Sequence, residues 1–138
     1  MTEKLNCLML IDDDETTNFI HNIVIKKVDC AENVVIMQDG TLALDYLGSI
    51  DKAKYVKPDL IFLDINMPTM NGWEFLEEYS RLDAKLKGQV VIVMLTTSLN
   101  PDDEKRANKM EAIDDFHNKP LTREILQEVL TKHFGFEF

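Results

Sequence analysis

Asp12, Asp13, Asp64, Thr96 and Lys119 each stand at or just beyond the end of a short apolar run, so three carboxylates, a hydroxyl and an ammonium recur at equivalent places along the chain. Carboxylates of this kind bind hard cations through oxygen. They are also ionised at neutral pH, so a carboxylate can serve as a nucleophile with no general base to activate it. An ammonium nearby can neutralise the charge such chemistry develops, and a hydroxyl can donate to it. Taken singly, each residue has a plainer explanation, since Asp is a common turn former and a Thr hydroxyl readily bonds its own backbone. The chemistry requires a fold that brings all five together.

The stretch PDLIFLDINMPTMNG, Pro58 to Gly72, shows how one of them is placed. Leu60 to Leu63 form an unbroken apolar run, followed by Asp64 and by Met-Pro and Asn-Gly breakers, the pattern of a strand buried on both faces. The same pattern predicts a first strand over Leu5–Ile11, ending in Asp12, Asp13 and Asp14. A helix follows, capped by Asp14, with Phe19, Ile20, Ile23, Val24 and Val28 as its expected core-facing stripe. Val34–Met37 is the second strand, and Asp39-Gly40 opens a second helix carrying Ala43, Leu44 and Leu47 and ended by Gly48. Ser49–Lys57 reads as a polar connection. Asn71-Gly72 starts a third helix with Trp73, Leu76, Tyr79 and Leu82 inward, closed by Lys87-Gly88.

Gln89–Leu95 is the fourth strand, ending in Thr96, Thr97 and Ser98. Asn100-Pro101 is a strong helix start, but that helix offers the core little beyond Ala107 and Met110 and is expected to be loosely held. Ile113–Asn118 is the fifth strand, stopped by Lys119-Pro120, and Thr122 opens a last helix with the stripe Ile125, Leu126, Val129 and Leu130. The tail from Phe134 to Phe138 is rich in phenylalanine.

Five strand–helix pairs in strict alternation predict an α/β fold, a five-stranded parallel sheet covered by helices on both faces, in a single domain over residues 1–138. Every strand's carboxyl end then opens on the same edge, the edge where such sheets bind ligands. Asp12, Asp13, Asp64, Thr96 and Lys119 would converge there. Two like charges about 4 Å apart repel by roughly 4 kcal/mol at an effective dielectric near 20. A divalent cation relieves that repulsion, and an oxygen-rich site suits Mg²⁺.

Composition excludes other classes. The net charge of −10, from 15 basic and 25 acidic residues, gives no basic surplus for a nucleic-acid backbone. The longest apolar run, Val90 to Leu95, is far too short for a bilayer, and the N-terminus has no signal-peptide layout, so the expected location is the cytoplasm with no membrane insertion. Cys7 and Cys30 read as free thiols. His21, His117 and His133 lack ligand spacing and read as polar residues on helix or strand surfaces.

The four segments IDDDE, LIFLDINMPTMNG, VMLTTS and FHNKP, in this order at successive strand ends, resemble the receiver domains of two-component response regulators, specifically the single-domain CheY-like type, over about residues 4 to 133. The resemblance implies the flavodoxin-like strand order 2-1-3-4-5. It implies a phosphorelay role in which Asp64 accepts a phosphoryl group from a sensor histidine kinase or a histidine phosphotransfer protein. It further implies that Asp12, Asp13, Asp64 and the backbone carbonyl of Asn66 hold Mg²⁺, and that Lys119 pairs with the carboxylate and then with the phosphoryl group. Thr96 and Phe116 take the places of the family's switch residues. Of the three consecutive aspartates, Asp12 and Asp13 are assigned to the metal because Asp14 falls at the helix cap, and Thr96 is preferred to Thr97 because it directly follows the strand. A cis Lys119-Pro120 peptide is also implied, as is a tuning role for Asn66 and Ser98 in hydrolysis of the acyl phosphate.

On this reading the chain is a signalling switch acting on an unknown downstream protein target. It catalyses only its own phosphorylation and dephosphorylation, as a monomer or as a phosphorylation-dependent dimer. Two rivals are weaker. A hydrolase with an Asp-x-Asp nucleophile motif would want an acid where Asn66 stands, and a flavin carrier of similar fold would want a neutral phosphate loop where IDDDE would repel the phosphate.

Overall fold

The computed structural model describes residues 4–49, 55–82 and 90–138. Their elements are β1 (Leu5–Ile11), α1 (Glu15–Val28), β2 (Ala31–Met37), α2 (Gly40–Gly48), β3 (Leu60–Asp64), α3 (Gly72–Ser80), β4 (Val91–Thr96), α4 (Pro101–Asn108), β5 (Asp115–Asn118) and α5 (Arg123–Phe134). The strands form one parallel sheet in the order β2-β1-β3-β4-β5.

Strand alternation divides the core in two. Met9, Ile11, Ile61, Leu63, Ile92 and Met94 point to the face covered by α2, α3 and α4, where they meet Ala43, Leu47, Phe75, Leu76 and Ala107. Leu8, Leu10, Leu60, Phe62, Val93 and Leu95 point to the other face, against Ile25 of α1 and Leu126, Val129 and Leu130 of α5. All five residues of β3 are buried, as expected of a central strand in a doubly covered sheet. The register pairs Ile11 with Leu63, Asp64 with Leu95 and Thr96 with Asn118, so the carboxyl ends lie level along one edge.

The helix starts follow the expected caps. Asp14, Asp39, Asn71, Asn100 and Thr122 each accept from the first-turn amides of α1 to α5, and Asn71 with Glu74 closes a capping box. Several boundaries differ from expectation. β2 begins at Ala31, because the amide of Leu5 donates to the carbonyl of Cys30 and the pairing with β1 extends back to that point. β5 begins only at Asp115: Ile113 donates back to the carbonyl of Met110, and the carboxylate of Asp114 accepts from the amide of Ile92. Thr96 belongs to β4, and Phe75 adds a fully buried ring to α3. Lys87-Gly88, Gln89 and most of the connection before Lys57 lie outside the described residues.

The largest departure is the face of α1. Phe19, Ile20 and Ile23 of the expected stripe are exposed, at 66%, 47% and 41%, while Asn18, His21 and Ile25 are buried. Val24 and Val28 remain packed on the core. The helix is turned by about one residue at its N-terminal half, because Asn18 and His21 find hydrogen-bond partners beneath it that no apolar side chain could supply. His21 is therefore an interior residue, and its expected surface placement is overturned. Both cysteines are buried free thiols, and burial pushes each up to about 11.

After α5, Gly135 takes a left-handed conformation (φ 71°), and the amide of Phe136 donates to the carbonyl of Leu130. The tail thus folds back, with Phe134 and Phe136 against the α1/α5 core. Among the described residues no helix is long and apolar enough to cross a membrane.

Candidate functional site

β1 and β3 are neighbours, so their terminal acids are neighbours too. The amide of Asp12 donates to the carbonyl of Met37, and its carboxylate accepts from the amide of Asp14, which leaves Asp14 to cap α1 through Thr16 and the hydroxyl of Thr17. The three consecutive aspartates thereby separate into two roles: Asp12 and Asp13 face the sheet edge, and Asp14 belongs to the helix. One carboxylate oxygen each from Asp12, Asp13 and Asp64 lies within 4.8 Å of the others.

Lys119 reaches this cluster from the far side of the sheet. Its ammonium is 2.5 Å from Asp12 Oδ2 and 3.0 Å from Asp64 Oδ1. The loop that carries it is fixed at its start by the amide of Lys119 donating to the carbonyl of Thr96, and it continues through a cis Lys119–Pro120 peptide. Thr96 is fully buried at the end of β4, with its hydroxyl accepting from the amide of Ser98 at 2.9 Å. Phe116 is half-buried beside Met94 and packs on the core shared with Ala107 of α4. Asn66 is exposed, and its amide donates to the Asp64 carboxylate.

The electrostatics are those of a site short of positive charge. Burial, and then the neighbouring Asp12 carboxylate, push the Asp64 carboxyl up to about 6, against the opposing pull of Lys119 and the Asn66 amide. Burial would lower the pKa of Lys119, but its bonds to Asp12 and Asp64 outweigh that and hold it above the ordinary lysine value. Of the three carboxylates only Asp12 and Asp64 pair with the Lys119 ammonium, and every candidate ligand atom is a hard oxygen. That donor set fits a divalent cation of the magnesium type. Asp64 is 5% exposed and Asp13 is exposed at the rim, so the cluster opens to solvent at one side. Beside it lies a cavity of about 250 Å³ lined by Thr17, Ile20, His21, Thr97, Lys119 and Pro120.

Asp12, Asp13, Asp64 and Lys119 are thus brought to one place; Thr96 ends the neighbouring strand and is tied to Lys119 through its backbone carbonyl, and Phe116 packs on the α4 side of the sheet. Among the described residues the buried polar side chains are Asp12, Asn18, His21, Asp64 and Thr96. Asn18 and His21 were not among the expected site residues. Their signal in the sequence is weak, two polar residues three apart within an otherwise amphipathic helix.

Comparison with known proteins agrees with this geometry. Residues 8–131 match the family model of the response regulator receiver domain. The fold is similar to that of a two-component response regulator from Cytophaga hutchinsonii, with a TM-score of 0.87 and 29% identity over 97% of this chain and 100% of that one. The chain is 31% identical to response regulator Rcp1 of a Synechocystis strain over 70% of its own length and 65% of that protein's. A manganese-bound structure of Rcp1 superposes with a TM-score of 0.76 at 25% identity, covering 96% of this chain and 95% of that one. The probable methanogenesis regulatory protein FilR2 of Methanothrix harundinacea is 26% identical over 89% of this chain and 77% of its own length. Of some longer relatives, hybrid signal transduction histidine kinases, the chain spans only 7%. Its strand order, its level carboxyl edge and its acid–lysine cluster accord with the family match, and the chain belongs to the response regulator receiver domain family of two-component signalling.

Proposed function

We propose that the chain is a phosphoryl-accepting switch, in which Asp64 takes a phosphoryl group from a phosphohistidine of a sensor histidine kinase or a histidine phosphotransfer protein in a Mg²⁺-dependent reaction. The observation that carries this reading is the meeting of Asp12, Asp13, Asp64 and Lys119, which joins a nucleophile, an all-oxygen cation site and an ammonium. Asp12, Asp13, Asp64 and the carbonyl of Asn66 would hold the ion. When bound, Mg²⁺ offsets the carboxylate charges and the charge that spreads over the equatorial oxygens during transfer.

An oxygen of Asp64 forms the new bond to phosphorus while the phosphorus–nitrogen bond breaks; the electron pair leaves with the imidazole, which then takes a proton from solvent. Lys119 is already within hydrogen-bond distance of Asp64 Oδ1 and moves its contact to a phosphoryl oxygen. Water later cleaves the acyl phosphate and restores the carboxylate. The chain turns over no external substrate in steady state, and Asn66 stands where a phosphatase of the Asp-x-Asp type would carry its acid.

The signal leaves through Thr96 and Phe116. Thr96 exchanges its bond to the Ser98 amide for one to the phosphoryl group, and Phe116 repacks against α4, where Ala107 is the sole buried residue. Phosphorylation shifts a population between two arrangements of α4 and β5, which a downstream protein distinguishes. The exposed apolar residues Phe19, Ile20 and Ile23, with Ile20 lining the cavity beside Lys119, favour a protein donor over a small molecule, and the reading places the chain in the cytoplasm. The test is mass spectrometry after treatment with acetyl phosphate and Mg²⁺. A single added phosphoryl group on Asp64, absent from Asp64→Asn and from a chelator control, is expected; equal labelling of Asp64→Asn would refute the assignment.

A further inference from the structure

We propose that His21 is a positioning residue for Lys119, acting through the backbone of Leu121. This rests on the reading of Lys119 given above, and it begins from the rotation of α1. That helix leaves Phe19, Ile20 and Ile23 in water and turns Asn18 and His21 inward, against the preference of its own apolar pattern. A local conflict of this kind marks a place where some other requirement overrides burial.

The requirement is visible beneath the helix. Asn18 and His21, three residues apart, lie on the same face of α1. The side-chain amide of Asn18 donates to the carbonyl of Asp12 at 2.8 Å, and Nε2 of His21 accepts from the amide of Leu121 at 3.1 Å, 100 positions away. One helical face therefore grips the loop after β1 and the loop after β5. Between those two grips lies the ion pair of Asp12 and Lys119. The loop carrying Lys119 is tied on one side to Thr96 of β4 by the Lys119 amide, and on the other to α1 by Leu121. Removing the His21 acceptor leaves the Leu121 amide, in a residue 1% exposed, without its partner and removes the polar tie between α1 and the loop, leaving the packing of the Leu121 side chain to hold that end.

An accepting Nε2 requires the tautomer protonated on Nδ1. Burial keeps the ring below the ordinary histidine pKa and so supports that state. The hydrogen bond of the imidazole goes to the Leu121 backbone; its effect is on where the ammonium of Lys119 stands relative to Asp64.

The test compares His21→Leu, which removes the acceptor, with His21→Gln, whose amide oxygen can replace it, each alone and combined with Lys119→Met. Initial rates of Asp64 phosphorylation by acetyl phosphate with Mg²⁺ are measured, along with Mg²⁺ affinity by calorimetry and exchange of the Leu121 amide. His21→Leu is expected to slow phosphorylation by about 10- to 100-fold with Mg²⁺ affinity unchanged and Leu121 exchange accelerated, and His21→Gln to recover much of the rate. In the Lys119→Met background His21→Leu should add little further loss, since both changes act on the same ammonium. Should His21→Leu not fold, His21→Met takes its place. A wild-type rate in the acceptor-free variant, no recovery with Gln, or losses that multiply in the double variant would each overturn the role of His21 alone. A wild-type protein that is not modified on Asp64 would overturn it together with the reading of the site.

Discussion

Gly72 lies directly against the backbone of Asp64: a Cβ at Gly72 would sit 2.6 Å from the Asp64 carbonyl oxygen and 3.0 Å from the Cα of Ile65. The amide of Gly72 also donates to the carbonyl of Ile65 at 2.8 Å, so α3 begins in contact with the end of β3. The neighbour here is main chain and cannot rotate away. Gly72→Ala is therefore expected to destabilise the fold by about 1–3 kcal/mol and to displace Asp64. Denaturant unfolding, read beside the phosphorylation rate, checks it; unchanged stability and rate would show that the turn has slack.

Among the described residues Lys119 is the cation paired with both Asp12 and Asp64, and it restrains the upward push on the Asp64 carboxyl. Lys119→Met leaves the acids without it. Phosphorylation at saturating Mg²⁺ is expected to fall by about 10²–10³-fold, the scale of losing one preorganised electrostatic partner. The Asp64 carboxyl, followed by carbon-13 NMR, should titrate at higher pH than in the wild type.

The pH dependence of the metal-free protein follows from the same carboxyl. Asp64 titrates at about 6 in the folded chain against an ordinary value of 3.8. Because the shift is upward, the folded state binds the proton first, and stability rises as pH falls through the window between those values. Above it the charged group costs about 3 kcal/mol. Asp64→Asn should thus be more stable than wild type at neutral pH in chelator and lack that slope, as denaturant melts across pH would show. The phosphorylation rate has the opposite sense: it needs the carboxylate and should drop on acidification, with the midpoint moving lower as Mg²⁺ is raised.

The sole tryptophan of the chain, Trp73 on α3, carries the guanidinium of Arg106 from α4 over its ring at 4.4 Å. Such a contact contributes about 0.5–1 kcal/mol at a partly exposed site. If α4 shifts on phosphorylation, Trp73 emission should change on adding acetyl phosphate with Mg²⁺. Arg106→Ala should abolish most of that change while leaving the phosphorylation rate intact. Emission that ignores the donor in a fully phosphorylated sample would mean that α4 stays in place.

Much of this architecture was legible in the chain itself. Unbroken apolar runs bounded by breakers marked the central strands, caps at Asp14, Asp39, Asn71, Asn100 and Thr122 marked the helix starts, and alternation implied parallel pairing. These signals are local, because strand burial, capping and turn chemistry act over a few residues. The terminal strand was less clear: Ile113 is apolar enough to read as strand, yet its amide turns back to Met110.

The sequence by itself determined which residues end each strand, and so which carboxylates, hydroxyl and ammonium could meet. Tertiary structure alone decided the rotation of α1, the inward placement of Asn18 and His21, and the Asp64 carboxyl poised near 6. Hydropathy periodicity reports where apolar side chains recur around a helix, but it cannot report a buried amide 100 positions away that needs a partner. Burial and charge proximity likewise exist only once the sheet has brought its strand ends level.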